Sequence, residues 1–576
     1  MGVIVDSCKQ HIDCCNNESK RMITEPNIHY RKLSFLTNEE EDSNINIGNS
    51  SDIINMKIKA NDLIRERQIS PWIYYKELST LGSGSYGVVK KVCLISNPST
   101  IRAMKIVSKQ NIIKGLAHST IIDEITILKQ LDHPNIMKIF EFFVDEKNFY
   151  IISDFCDQGD LLGKLEKLGK MNEVVVKFLM EQIFSAVSYL HSQKVLHGDI
   201  KLENILLYTA TKKYKGRRFT SINMDFNDLE DLKNELKRSK TLTKRSKNYL
   251  NDMLNYEIKL IDFGCSKYFV NKNKKLSGII GSSLYCSPEV VDNLYDELSD
   301  EWSCGVLMYI LLCGAPPFPG ETEEEIFQKI KKCKYSFDYR EFKEVSYNCK
   351  NLIQRLLEPI KEKRIKASEA LKHPFFTESF NPMELEKKDL SILKNLVNFR
   401  KFKSKFHEAM YIYICNNFIN IDEEKRLRAV FRYIDKNGKN AVTKNDLNIC
   451  LKKINIYLSN EKLDNIFSIL DANQNNTLQY QEFLRGACDK NYLLTEENLK
   501  NAFLALTEGE KREFINSDDI KKFIFNDRNI QDEVFNEYLE QFGMKIGEKI
   551  NFEQFCYILK NDKKLNEENE DYIKDN

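Results

Sequence analysis

Phe431, Phe467 and Phe503 stand 36 residues apart, and Leu539 takes the same place one period later. A recurrence of this length marks repeated supersecondary units, because a unit that cannot bury its own apolar face must stack on its neighbours. Four positions after each of them a loop begins, at Asp435, Asp471, Thr507 and Gly543. The span Glu423–Lys560 therefore reads as charged helices arranged in four helix–loop–helix units.

The loops are unequal as sites for a hard cation. A 12-residue calcium loop needs oxygen ligands at positions 1, 3, 5, 7 and 9. It also needs a residue tolerant of the tight turn at 6 and a bidentate acid at 12. DANQNNTLQYQE supplies Asp471, Asn473, Asn475, the Thr477 carbonyl and Glu482, with Asn476 at the turn, where asparagine tolerates positive φ. DKNGKNAVTKND supplies Asp435, Asn437 and the shorter Asp446, but places Lys439 among the ligands, so weaker binding is expected there. The third unit, from Thr507, has an extra residue and no acid at position 1, and the fourth, GMKIGEKINFEQ, has no acid at position 1 or 12. Both are expected to keep the fold without the metal.

A second constellation lies upstream. Leu81–Val89 reads LGSGSYGVV, with Gly82, Gly84 and Gly87 in a G-x-G-x-x-G pattern interleaved with Ser83, Ser85 and Tyr86 and followed by Val88 and Val89. Glycines let a backbone lie close over phosphates, and strand-like flanks on both sides argue against a dinucleotide fold, which needs a helix next. RAMKIV then offers Lys105 to neutralise phosphate charge, and the amphipathic IIDEITILKQL places Glu124 to pair with it. HGDIKLENILL carries Asp199, Lys201 and Asn204, LIDFG carries Asp262, and CSPE ends on Glu289.

In this order the motifs resemble the eukaryotic protein kinase set. With the basic helical stretch that follows and the four repeats, the chain resembles the calcium-dependent protein kinases of plants and protists over roughly Tyr74–Lys560. The resemblance implies an α+β two-lobed kinase fold followed by an all-α EF-hand domain, with ATP, Mg2+ and Ca2+ as cofactors and protein serine or threonine hydroxyls as substrates. It implies that Asp199 orients the substrate hydroxyl and takes its proton. Asn204 and Asp262 hold magnesium, and Lys201 contacts the transferred phosphate. The nucleotide lies against the glycine loop, Lys105 and the segment Ser153, Asp154, Cys156 and Asp160. Ser153 takes the gatekeeper place, where a small side chain leaves room behind the adenine. Asp300, Trp302 and Gly305 match the large-lobe helix, and Arg364 is placed to pair with Glu289. Two residues depart from the pattern. Gly198 replaces the arginine that pairs with a phosphorylated activation loop, so that switch is not expected to dominate. Ser287 replaces an alanine.

The organisation expected is a polar N-terminal segment 1–73, a kinase domain 74–376 and a basic insert at about 208–256. A junction 377–420 follows, then a calmodulin-like domain 421–565. By the resemblance the junction, LSILKNLVNFRKFKSKFHEAM, inhibits the active site until calcium rearranges the EF-hand domain, an intramolecular contact. Two lost calcium loops leave a calcium-independent kinase, or a calcium-sensing scaffold with little turnover, as alternatives. A net charge of +1 gives no field favouring nucleic acid. The 15 scattered cysteines, with no run of about 18 apolar residues and no secretory leader, point to a reducing cytoplasmic setting. Gly2 with Cys8, Cys14 and Cys15 suggests acylation as the only route to a membrane, although Asp6 stands where the myristoylation pattern wants Ser or Thr.

Overall fold

The structure is a computed structural model that describes residues 64, 66–84, 87–109, 118–209, 253, 256–269, 281–292, 295–377, 389–402, 404–435, 441–454, 456–507, 512–525, 532–541 and 543–561. The N-terminal segment with Gly2, Cys8, Cys14 and Cys15, residues 210–252 of the basic insert, Ser85, Tyr86 and Asn437 lie outside them.

Apolar runs such as IFEFFV and NFYIIS, buried on both faces, build the small lobe as a six-stranded sheet. Its strands are β1 (Glu66–Arg67), β2 (Tyr75–Gly84), β3 (Gly87–Leu94), β4 (Ile101–Ser108), β5 (Ile139–Val144) and β6 (Asn148–Ser153), in the spatial order β1-β5-β6-β4-β3-β2. All neighbours run antiparallel except β1, which pairs parallel with β5. Helix α1 (His118–Gln130) buries Ile125, Ile127 and Leu128 against this lobe and carries Glu124.

The large lobe is helical. After α2 (Leu161–Leu168) comes α3 (Glu173–Ser192), whose first turn is capped by Asn172 accepting from Val174 N at 2.8 Å. Two short ladders, β7 (Val195–Leu196) with β10 (Lys267–Tyr268) and β8 (Ile205–Thr209) with β9 (Tyr256–Leu260), carry the loops that hold the motif residues. Helix α4 (Leu298–Cys313) is apolar on every side because it lies in the middle of the lobe. Trp302 is fully buried there and stacks on Phe318, with centroids 5.6 Å apart.

The calmodulin-like part follows the 36-residue period. Phe431, Phe467, Phe503 and Leu539 sit in the last turns of α7 (Ile421–Ile434), α9 (Asn460–Leu470), α11 (Glu496–Leu506) and α13 (Asp532–Glu540), all buried. The exiting helices are α8 (Lys444–Lys453), α10 (Tyr480–Ala487), α12 (Ser517–Phe525) and α14 (Phe552–Asn561). The domain is not purely helical. Its loops pair two by two through β11 (Ala441–Thr443) with β12 (Thr477–Gln479), and β13 (Phe514–Asn516) with β14 (Lys549–Asn551). Val442 faces Leu478 and Ile515 faces Ile550, so the extra residue of the third unit precedes Ile515.

The junction, read from sequence as a basic helical stretch, is divided. It forms two helices, α5 (Asp389–Asn398) and α6 (Lys405–Phe418). Ser404 begins the second by accepting from His407 N at 3.3 Å, an N-cap that replaces helical continuation. Nor is α6 a solvated helix: Phe406, Ala409, Met410 and Ile414 are fully buried in the EF-hand core.

The EF-hand domain meets the kinase along the α1–β5 loop and the β8–β9 ladder. Arg428 of α7 bonds the buried Glu257 and Tyr208. Arg432 Nη2 donates to Asn135 Oδ1 at 2.5 Å, and Gln481 N to Asp132 Oδ2 at 2.8 Å. At the end of α6, the Asn416 and Asn417 carbonyls accept from Lys138 Nζ at 2.9 Å and Arg102 Nη2 at 3.0 Å, cations where a helix leaves unpaired carbonyls.

The large lobe hangs on one buried ion pair. Arg364 Nη2 donates to Glu289 Oε2 at 3.0 Å, with Nη1 also reaching Leu298 O at 2.7 Å. Removing the charge of one partner leaves the other desolvated and unpaired. We expect Glu289→Gln to lower unfolding stability of the large lobe by about 3–5 kcal/mol, measured by urea denaturation.

Candidate active site and calcium loops

Sheet register brings the motif residues together. Lys105 on β4 pairs with Val89 on β3 and Ile151 on β6, which sets it beneath the glycine hairpin. Its ammonium lies 3.0 and 3.1 Å from the two Glu124 oxygens, so α1 is drawn in against the sheet. Gly87 is obligatory at its place: φ is +152°, and a Cβ would stand 1.9 Å from Ile106 O.

Asp199 is the centre of the constellation. Its Oδ2 meets Lys201 Nζ at 2.6 Å and Asn204 Nδ2 at 2.9 Å, and its Oδ1 accepts from Ser282 N at 3.0 Å. Burial works against the Lys201 charge, but Asp199 beside it outweighs this and raises its pKa. Asn204 spends its amide nitrogen on Asp199, which leaves the amide oxygen as the end suited to a hard cation. Asp262 has φ +65°, and Phe263 packs edge-on against His197 with centroids 4.8 Å apart. Asn204 and Asp262 therefore offer oxygen donors of the kind magnesium takes, and Asp199 and Asp262 both act on the Lys201 charge.

Ser282 and Asp300 hold this group in place. Ser282 Oγ accepts from Lys201 Nζ at 3.0 Å, tying the end of the activation segment to the catalytic loop. Asp300 accepts from His197 N and Gly198 N, both at 2.9 Å, and from His191 Nε2. Burial disfavours the His191 charge, but Glu301 and Asp300 hold its pKa up to about 10, so it is an imidazolium at physiological pH. Sequence reading passed over Ser282 altogether and took Asp300 only as part of a helix. The signal for Ser282 was its place in GSSLYCSPE, five residues before Ser287. Gly198 adopts φ +79°, and Gly281 (φ +75°) lies so close that a Cβ there would stand 2.6 Å from Gly198 O. The close approach thus depends on the glycine at 281, which meets the backbone of residue 198.

The cleft-side residues are placed unequally. Ser153 pairs with Ala103 and Ile139 on the same strand face as Ile151. Asp154 turns its carboxylate to Lys259 at 2.8 Å and Lys138 N at 3.1 Å. Lys259 chiefly holds its pKa down against burial. Asp160 caps α2, its Oδ1 accepting from Gly163 N at 2.7 Å.

In the second calcium loop the expected ligands face inward. Asp471 Oδ1 and Oδ2 accept from Asn475 N and Asn476 N at 3.2 and 2.8 Å, and Asn476 has φ +61° as the turn requires. Asn475 Oδ1 accepts from Thr477 N at 2.9 Å, and Asn473 Oδ1 from Asn475 N at 3.1 Å. Glu482 accepts from Ala472 N at 2.7 Å, Asn473 N at 3.2 Å and Gln479 N at 2.8 Å. Burial pushes its carboxyl up to about 7 against those donors, with Asp471 adding repulsion. Two acids facing amides and amide oxygens, without a side-chain cation on Glu482 among the described residues, fit calcium. In the first loop Asp435 is buried, and Asp446 accepts from Thr443 N at 3.2 Å and Thr443 Oγ1 at 2.6 Å.

Enlarging Ser153 should close the space behind the nucleotide. ATP analogues bearing a bulky aromatic extension should inhibit the parent, and Ser153→Met should raise their inhibitory concentration at least about tenfold, 1.4 kcal/mol of lost binding. Equal inhibition of both proteins contradicts the assignment.

Comparison with known proteins agrees with this geometry. The protein kinase domain family matches residues 75–376, and the EF-hand domain pair matches residues 424–488. Calcium-dependent protein kinase 4 of Plasmodium falciparum (isolate 3D7) is 30% identical over 88% of this chain and 90% of its own length. Calcium-dependent protein kinase 3 of Plasmodium berghei (strain Anka) is 33% identical over 83% of this chain and 79% of its own length. A kinase domain of this kind phosphorylates serine or threonine using ATP and Mg2+, and the EF-hand domain binds Ca2+. Kinase lobes, junction and paired calcium loops, matched along most of their length, place this chain in the calcium-dependent protein kinase family.

Proposed function

We propose that Asp199 is the general base, and that calcium sets the rate of transfer by controlling where the junction lies. The phosphoryl transition state spreads charge over the γ-phosphate oxygens, so positioning and charge neutralisation dominate. Asp199, held by Asn204 and Ser282, orients the hydroxyl of a protein serine or threonine and accepts its proton. Lys201 faces the transferred group, and Lys105, fixed by Glu124, steadies the nucleotide phosphates. Magnesium, held by Asn204 and Asp262, supplies neutralisation of phosphate charge. Asp199→Asn should lower kcat about 10²–10⁴-fold while nucleotide affinity stays near the parent's. Activity within about tenfold of the parent speaks against the base assignment.

One observation carries the calcium reading. Glu482 stands one helical turn before Arg485, and Arg485 Nη2 grips the buried Glu408 of α6 at 2.7 Å. Glu482 would hold calcium at the start of α10, and α10 holds the junction helix directly. In this reading the part of the junction held by the N-terminal EF-hand pair leaves that pair for the active site when calcium is low, and blocks it. We also assign the protein to the cytoplasm, with membrane attachment only through acylation of Gly2 and the nearby cysteines.

Phosphorylation of a generic peptide, titrated against free calcium, tests the reading. Glu482→Gln should shift activation to at least about tenfold higher calcium, because the bidentate acid closes the ligand set. Asp446→Asn should shift it less, since that loop already carries Lys439. An unshifted curve for Glu482→Gln contradicts the second loop as sensor, and equal activity of the parent in calcium and chelator favours the calcium-independent alternative.

A further inference from the structure

The third EF-hand unit does not suit calcium. Thr507 stands at its first position, fully buried, with its hydroxyl donating to the Phe503 and Leu504 carbonyls at 3.4 and 3.2 Å. At its last position the Asp519 carboxylate is already occupied. Arg512 Nη2 reaches Oδ1 at 2.9 Å and Arg512 Nη1 reaches Oδ2 at 3.3 Å, a two-pronged pair. Asp519 Oδ2 also accepts from Asn516 N at 2.9 Å, and Asn516 Oδ1 accepts from Asp519 N at 2.8 Å, so the start of α12 is capped both ways. The fourth unit makes the same reciprocal cap without charge, between Asn551 and Gln554 at 3.0 and 2.8 Å. The β13–β14 ladder joins the two units, and Gly547 N donates across to Ser517 Oγ at 3.1 Å.

In a calcium loop the last carboxylate closes on the ion and carries the following helix with it. Here a guanidinium of the chain itself holds that carboxylate, and its presence does not vary with the calcium concentration. We propose that Arg512 is a built-in counter-ion that keeps the C-terminal EF-hand pair in its helix-gripping arrangement at resting calcium. The pair then grips the junction helix at all times, and calcium acts through the N-terminal pair alone. The grip is visible in α6: Phe406 packs edge-on against Phe555 at 6.2 Å, Tyr413 against Phe523 at 5.1 Å, and His407 Nε2 bonds Ile558 O at 2.5 Å. The N-terminal pair reaches the same helix separately, through Arg485 and Glu408. The division of labour rests on calcium acting through the EF-hand domain, as proposed above, whereas the role of Arg512 does not.

Hydrogen exchange on the full-length chain, in calcium and in chelator, separates the two. In the parent, the amides of Phe514–Asn516 and Lys549–Asn551 should exchange at the same rate in both conditions, while the Ala441–Thr443 and Thr477–Gln479 ladder slows with calcium. Arg512→Gln should speed exchange of the C-terminal ladder at least about tenfold in both conditions, with no rescue by calcium. Arg512→Lys keeps the charge but loses the two-pronged fit; it should give a smaller rise and serves if the glutamine variant does not fold. Two results overturn the proposal. One is an unchanged C-terminal ladder in both variants. The other is a ladder that calcium still slows tenfold in Glu482→Gln, which would mean that the third loop takes the ion itself. A parent whose N-terminal ladder ignores calcium overturns the division of labour and the calcium reading together, and the Arg512 variants still decide the counter-ion.

Discussion

Asp300 is the group on which the active site rests. Its carboxylate is buried to 1% exposure and receives the backbone N–H groups of His197 and Gly198 together with the charged ring of His191. Those contacts set the backbone just before Asp199. From there the order passes outward through Asn204, Lys201 and Ser282, so the geometry of the reacting cleft depends on a residue that does not reach it. A buried carboxylate is costly unless its charge is met, and here three donors meet it.

The same requirement recurs through the chain and gives each part its role. Glu289 is met by Arg364, Glu257 by Arg428 and Glu408 by Arg485. The first of these ties the activation segment to the large lobe. The second docks the EF-hand domain on the kinase, and the third fastens the junction helix to the second calcium loop. Asp519 is met by Arg512. Glu482 differs, because among the described residues its partners are backbone N–H groups. No side-chain cation occupies it among the described residues, as Arg512 occupies Asp519.

The kinase motifs were legible because phosphoryl transfer demands specific residue types at short, fixed spacings. Lys105, Asp199, Asn204 and Asp262 could be named from their neighbours, and the structure sets Lys105 against Glu124 and Asn204 against Asp199. Ser282 was missed because a serine in a loop carries no mark of its own; its role arises only when the activation segment folds back on Asp199. Asp154 could be placed in the hinge from sequence, but the turn of its carboxylate toward Lys259 could not, since Lys259 lies on a distant strand. The break in the junction at Ser404 was likewise hidden inside a stretch with uniform helical composition.

The sequence by itself determined the two domains, their order, the 36-residue repeat and which calcium loop keeps acids at both ends. These follow from local chemistry, namely side-chain periodicity, turn tolerance and the oxygen content of a dozen consecutive residues. Tertiary structure alone decided which charges meet. Arg428 finds Glu257 across 171 positions and Arg485 finds Glu408 across 77, and Arg512 folds onto Asp519 within its own loop. Charged residues make up 30% of the chain, so composition offers each acid many possible partners. Only packing that removes water from a particular acid and a particular base makes one pairing more favourable than the rest.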